Sequence, residues 1–118
     1  MCHKKMINKI FKFVYGATGT VIEIPSDING WIAKIIVVTP DFTNAVTSTL
    51  TITDPDGIVV YTSAALAENL TTPLGDLIGT AKTGEIPIGE HPWKMTCTLS
   101  GVAGAGGGIV KCAVYLKG

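Results

Sequence analysis

The chain has 118 residues, nine lysines and no arginine, nine acidic residues and a formal net charge of zero. That length fits one domain with a core of its own. With 47% hydrophobic and only 15% charged residues, the composition excludes global disorder, which favours high charge and few β-branched residues. The absence of the arginine fork argues against a base-reading or phosphate-clamping protein, so nucleic acid is not the expected partner. No apolar run approaches the roughly 20 residues of a membrane-spanning helix, and no membrane association is expected. So little charge means either that threonine, serine and glycine cover the surface or that part of the surface is hidden in an assembly.

Residues 1–5 read as a flexible basic leader, and residues 6–118 as a single domain. The lysines ahead of Ile10 to Tyr15 have the outline of a signal peptide, but the apolar part is short and broken by Lys12. Met6 is an alternative initiator. Lys4, Lys5, Lys9 and Lys12 form a basic run that could meet a phosphate backbone or an acidic partner, although a solvated terminus accounts for it more simply.

Residues 6–15 read as a strand with helix as the competing reading. Ile7, Phe11, Phe13 and Tyr15 share one side at period two, and Lys9 is the exception. A turn at residues 16–19 leads into a strand at 20–24 that stops before Pro25. A second turn at 26–30 ends in Asn29-Gly30, a pair suited to positive φ. Residues 31–39 are apolar on both sides, with Trp31, Ala33, Ile35 and Val37 opposed by Ile32, Ile36 and Val38. Such a strand is central, or is covered on its outer side by a partner.

Residues 48–53 alternate, with Leu50 and Ile52 on one side. Asp54-Pro55-Asp56-Gly57 then gives a three-residue loop with Gly57 in the left-handed position. That loop predicts a hairpin pairing Ile52 with Val60 and Leu50 with Thr62. Residues 63–78 are ambiguous: 64–70 form a short helix or a loop over one end of the molecule. Residues 85–88, with Pro87 inside, read as an edge strand.

The last two strands show the firmest alternation. Trp93, Met95, Cys97 and Leu99 face one way, as do Val110, Cys112, Val114 and Leu116. One antiparallel register pairs Trp93 with Leu116, Met95 with Val114, Cys97 with Cys112 and Leu99 with Val110. The glycine-rich connector 101–108 is either a mobile tip or a segment that orders against a neighbour. About eight short strands between Gly, Pro, Asn and Asp turns predict an all-β, antiparallel β-sandwich, immunoglobulin-like or jelly-roll-like.

Candidates for chemistry are few. Cys97 and Cys112 are two small buried thiols, or a cross-strand disulfide if the geometry allows. Cys2 and His3 lack further clustered metal ligands. Glu90 and His91 could form an acid–base pair, but neighbours on an extended chain point apart and no nucleophile accompanies them. Asp54 and Asp56 could offer oxygens to calcium, yet turn chemistry explains both. Gly16, Gly19 and residues 104–108 lead into strands, unlike a phosphate cradle. Trp31, Phe42, Tyr61, Trp93 and Tyr115 are the aromatic anchors. Trp93 is expected in the core, Tyr61 and Tyr115 on outer faces, and Trp31 in the core or at a rim. No catalytic, cofactor-binding or metal residue is assigned.

The runs at 19–24, 30–35 and 50–57, with their strand, Asp-x-x-Gly turn and returning strand, resemble small β-rich virion proteins of tailed bacteriophages. The resemblance covers most of residues 19–117, departs at the lysine-rich start and transfers no functional residue. It implies a virion localisation, a role in decorating or cementing a capsid, and major capsid or other virion proteins as partners, with a homo-oligomer as a further option. The expectation is thus a non-enzymatic structural protein without cofactor. The alternatives are an adhesin-like or carbohydrate-binding module, and a small hydrolase requiring Glu90 and His91 in one cleft.

Overall fold

A computed structural model describes residues 7–63, 65–73 and 86–116. Among the described residues nine strands run in the order β1 (Ile7–Tyr15), β2 (Val21–Pro25), β3 (Gly30–Thr39), β4 (Ser48–Thr53), β5 (Val59–Thr62), β6 (Leu70–Pro73), β7 (Ile86–Ile88), β8 (Lys94–Leu99) and β9 (Gly108–Leu116). The proposed leader and the glycines at 75, 79 and 84 lie outside the described residues.

The strands form two antiparallel sheets. One has the order β1-β9-β3-β6, with β7 also on β3; the other has the order β2-β8-β4-β5. β6 pairs with residues 36–39 of β3 and β7 with residues 30–32. The two short strands therefore share one lane beside β3, and nine strands occupy eight lanes. The chain changes sheet at every connection except β4 to β5 and β6 to β7. Two interleaved four-lane sheets wound in this way are a jelly roll.

Alternation places the core between the sheets. Phe11, Phe13 and Tyr15 of β1 face Leu50 and Ile52 of β4 and Met95 and Cys97 of β8, along with Val110, Cys112, Val114 and Leu116 of β9, all essentially inaccessible. Each fully buried Leu, Ile, Phe or Met side chain stabilises the fold by about 1.5–3 kcal/mol relative to exposure. Pro25 pairs with Lys94 on β2, an edge strand where a missing N–H is tolerated.

Several expectations need correction. The final two strands do not form a hairpin. β8 pairs with β2 and β4, whereas β9 pairs with β1 and β3. Their inward faces are as expected, but they look at one another across the core. Alternation fixes which face is buried and is silent on which strand is the neighbour.

The β4–β5 hairpin forms, with Gly57 at φ +81° and Gly57 N–H donating to the Asp54 carbonyl at 3.0 Å. A bulge beyond Ile52 moves its register by one residue, so that Ile52 pairs with Tyr61 and Thr51 with Thr62. In β3 a second irregularity between Ile32 and Lys34 puts Ile32, Ile35 and Val37 all inside and leaves Trp31 outside. An extra residue in one strand reverses the parity on either side of it.

The 64–70 segment carries no helix among its described residues; it passes Leu66 beside Ser48 as a single bridge and ends in β6. At Asn29-Gly30 only Gly30 has positive φ, because this connection crosses between sheets and is not a hairpin turn. Trp93 is half-buried at the core margin, over Gly89, where a Cβ would collide with the indole.

Candidate functional surface

The residues singled out for chemistry are dispersed. Glu90 lines a cleft of about 250 Å³ with Asp27, Ile28, Asn29 and Leu116, and its Oε2 accepts a hydrogen bond from Asn29 Nδ2 at 3.0 Å. His91 lines a different cleft, of about 320 Å³, with Glu23, Pro25, Pro92 and Lys94. There Lys94 and Glu23 form an ion pair at 3.1 Å. The two neighbours line different clefts and do not pair with one another, contrary to the arrangement the hydrolase reading requires. The two clefts, about 250 and 320 Å³, lie close to the ~300 Å³ lower bound of ordinary small-molecule sites.

Asp54 is engaged in its turn. Its Oδ1 accepts the backbone N–H groups of Asp56 and Ile58, each at 2.9 Å. Among the described residues no group of three or more His, Cys, Asp or Glu side chains is placed to hold a metal ion. Cys2, His3, Lys4 and Lys5 lie outside the described residues. Lys9 pairs with Asp27 at 3.0 Å and lies 5.9 Å from the Phe11 ring centroid.

Cys97 and Cys112 are free and buried. Cys112 meets Met95 across the core, Sγ to Sδ 3.5 Å. The Tyr15 hydroxyl donates to the Cys97 carbonyl. Burial pushes the Cys97 thiol up to about 11 against a smaller opposing effect of Tyr15. Burial likewise pushes Cys112 and Tyr15 well above their ordinary values. Thiols held neutral in this way are packing groups, not nucleophiles.

The glycine-rich connector is ordered within its own chain. Thr43 Oγ1 donates to the Ala105 carbonyl at 2.7 Å and Asn44 Nδ2 to the Val102 carbonyl at 3.1 Å. Gly104 N–H donates to Ala17 at 3.0 Å, and Ala103 is buried.

What remains are the two outer faces, and they differ. On the β2-β8-β4-β5 sheet, Thr49 pairs with Thr98, and Thr51 with both Thr96 and Thr62. This face is threonine-lined, with Glu23 and Lys94 neutralising each other. On the β1-β9-β3 sheet, Ile10 pairs with Ala113 and Ala113 with Ile36; Val14 pairs with Ile109. Lys12 lies directly opposite Lys111, which in turn pairs with Val38, and Lys34 pairs with Tyr115. Ile10, Val14, Trp31, Val38 and Ile109 are 39–61% exposed on this side. No acidic residue stands on these stretches of β1, β3 or β9. Among the described residues the surface is therefore apolar, studded with three lysines and without a compensating carboxylate on β1, β3 or β9.

Sequence reasoning found half of this surface. It noted that β3 is apolar on both sides, but not that positions 10, 12 and 14 and positions 109, 111 and 113 extend the same band. Their parity was legible; the β1-β9-β3 adjacency that joins them was not.

No family model and no curated protein matches the chain. Solved structures of infectious bursal disease virus do. The Gx strain structure is 17% identical, covering 99% of this chain and 34% of that one at a TM-score of 0.42. The crystal structure of the VP2 subviral particle is 18% identical over 98% of this chain and 32% of that one, TM-score 0.38. The Gt strain structure gives 13%, 98%, 33% and 0.34. The chain spans about a third of the length of the chains it matches. Superpositions this loose fix neither a family nor an activity. They do correct the tailed-phage resemblance, since these matches are to infectious bursal disease virus and not to a tailed phage. The runs behind that resemblance are turn chemistry common to antiparallel β proteins.

Proposed function

We propose that this chain is a non-enzymatic structural protein of a viral particle, located in the virion and working through protein–protein contacts of its sheet surfaces. The observation that carries the reading is the exposed apolar face of the β1-β9-β3 sheet, studded with lysines, beside which the two clefts lined by Glu90 and by His91 are modest. Contiguous exposed apolar surface on a soluble domain marks an interaction site, and a jelly roll presents such a surface on a rigid frame. Capsid and lectin domains both use this winding. A lectin-like function would place aromatic and amide groups together in a cleft, and Trp31, although exposed, lines neither cleft. Decoration of a preformed shell and participation in the shell itself are the two forms such a role takes.

Quantitative mass spectrometry of purified particles tests the proposal. A structural component is expected at a fixed copy number per particle, resistant to salt washing. A chain absent from particles, or present only in traces that wash away, contradicts it. A glycan array that returns a saturable signal would favour the carbohydrate-binding alternative.

A further inference from the structure

The lysine-studded face constrains its own partner. A two-fold pairing of this face with itself would bring Lys12, Lys34 and Lys111 against the same lysines with no carboxylate from the described residues of β1, β3 or β9 between them. Like charges so placed oppose association. The occupant must offer apolar side chains together with negative charge. Aliphatic side chains dominate the face, and they fit a protein surface better than a phosphate backbone, which is gripped by basic grooves and stacked aromatics.

One region of the same molecule has the required chemistry. The β4–β5 turn carries exposed Ile58 and Val59, 59% and 51% accessible, beside exposed Asp56. Asp54 adds a second carboxylate, whose Oδ1 is held by the turn backbone. No lysine lies within residues 48–62. The chain is neutral overall, yet these two surfaces carry opposite charge on different sheets.

We infer that a second copy of this chain docks its β4–β5 turn, through Asp56, Ile58 and Val59, on the Ile10/Lys12/Lys111/Ile109 face. The contact is head-to-tail. Each molecule keeps a free turn and a free face, so the contact propagates into a ring or an open array and does not stop at a dimer. The inference deepens the structural role proposed above and rests on it for its biological setting only.

The test uses the full chain and two charge reversals, Lys12→Glu with Lys111→Glu, and Asp56→Lys. All three positions are exposed, and circular dichroism with thermal melting verifies that each variant folds like the parent. Sedimentation velocity over a range of concentration and salt is the readout. The parent is expected to self-associate at low salt and to dissociate as salt screens the contact. Each reversal alone is expected to weaken association by about tenfold. An equimolar mixture of the two variants is expected to regain it, because both mixed contacts again join opposite charges. A parent that is monomeric throughout, variants that associate like the parent, or a mixture that stays monomeric would each overturn the inference. So would salt-sensitive oligonucleotide binding by the monomer that Lys12→Glu with Lys111→Glu abolishes, since the lysines would then serve phosphate. A chain that is monomeric in solution but stoichiometric in particles defeats this inference and leaves the structural role standing; one that self-associates but is absent from particles does the reverse.

Discussion

Cys97 and Cys112 show how a residue's chemistry follows from where its strand goes. On two paired strands they would be candidates for a disulfide. On facing sheets they are core packing, and Cys112 lies against Met95 instead. Reducing agent is therefore expected to leave the melting temperature of the monomer unchanged. Peptide mapping after iodoacetamide treatment is expected to find Cys97 and Cys112 unmodified until denaturant is added; rapid modification of either in the native state would contradict the burial. The raised thiol of Cys97 also has a pH consequence. Its proton is held more tightly folded than unfolded, so its contribution to stability is complete below pH 9 and is lost as pH rises through about 11. The urea midpoint should fall across that window, and more shallowly in a Cys97→Ala, Cys112→Ala double variant. Tyr15, raised in the same direction, keeps the slope from vanishing. Among aliphatic residues, Leu50 at 0% exposure should cost about 2–5 kcal/mol on truncation to alanine. Exposed Val38 should cost under about 1 kcal/mol. Equal losses in urea titrations would show that the inner and outer faces are wrongly assigned.

At the scale of elements, most strands were legible because alternation and turn residues are local signals. Phe11, Phe13 and Tyr15 betray β1 by their spacing, and Asp54 to Gly57 betray the β4–β5 hairpin. Three features were not legible, each for a physical reason. The bulges in β3 and after Ile52 add a residue without any local mark in the sequence, so Trp31 was given the wrong parity and Tyr61, expected on an outer face, instead pairs with Ile52 and packs against the core. β6 consists of Leu-Thr-Thr-Pro, too short and too polar to stand out before its partner is known. The partnering of β8 and β9 depends on a chain that crosses between sheets, which short-range pattern cannot reveal. The connector between them does carry a checkable signature. Gly107 sits at φ +59°, where a Cβ would run into the Tyr15 carbonyl oxygen. Gly57, also at positive φ, has open space around it. Gly57→Ala is thus expected to cost about 1 kcal/mol from backbone conformation alone, and Gly107→Ala distinctly more, because backbone must also move. Equal melting temperatures for the two variants would contradict the close approach of the connector to the end of β1.

For the whole molecule, the winding decides what the sequence can do. It brings β1, β9 and β3 side by side, and only then do Ile10, Lys12, Val14, Lys34, Val38, Ile109 and Lys111 become one surface. The same winding sends Glu90 and His91 into separate clefts and the threonines to the opposite side. Composition had suggested that a chain with so little charge either clothes itself in threonine or hides surface in an assembly; the β2-β8-β4-β5 sheet takes the first course, and the proposal above assigns the second to the β1-β9-β3 sheet. Lysine footprinting tests this most directly, by acetylating the dilute chain and intact particles and comparing each site by mass spectrometry. Lys12, Lys34 and Lys111 should react freely in the dilute chain and be protected in particles, while Lys94 on the other sheet reacts alike in both. Equal reactivity of Lys12, Lys34 and Lys111 in the two samples would contradict the assignment of the β1-β9-β3 face as the assembly surface.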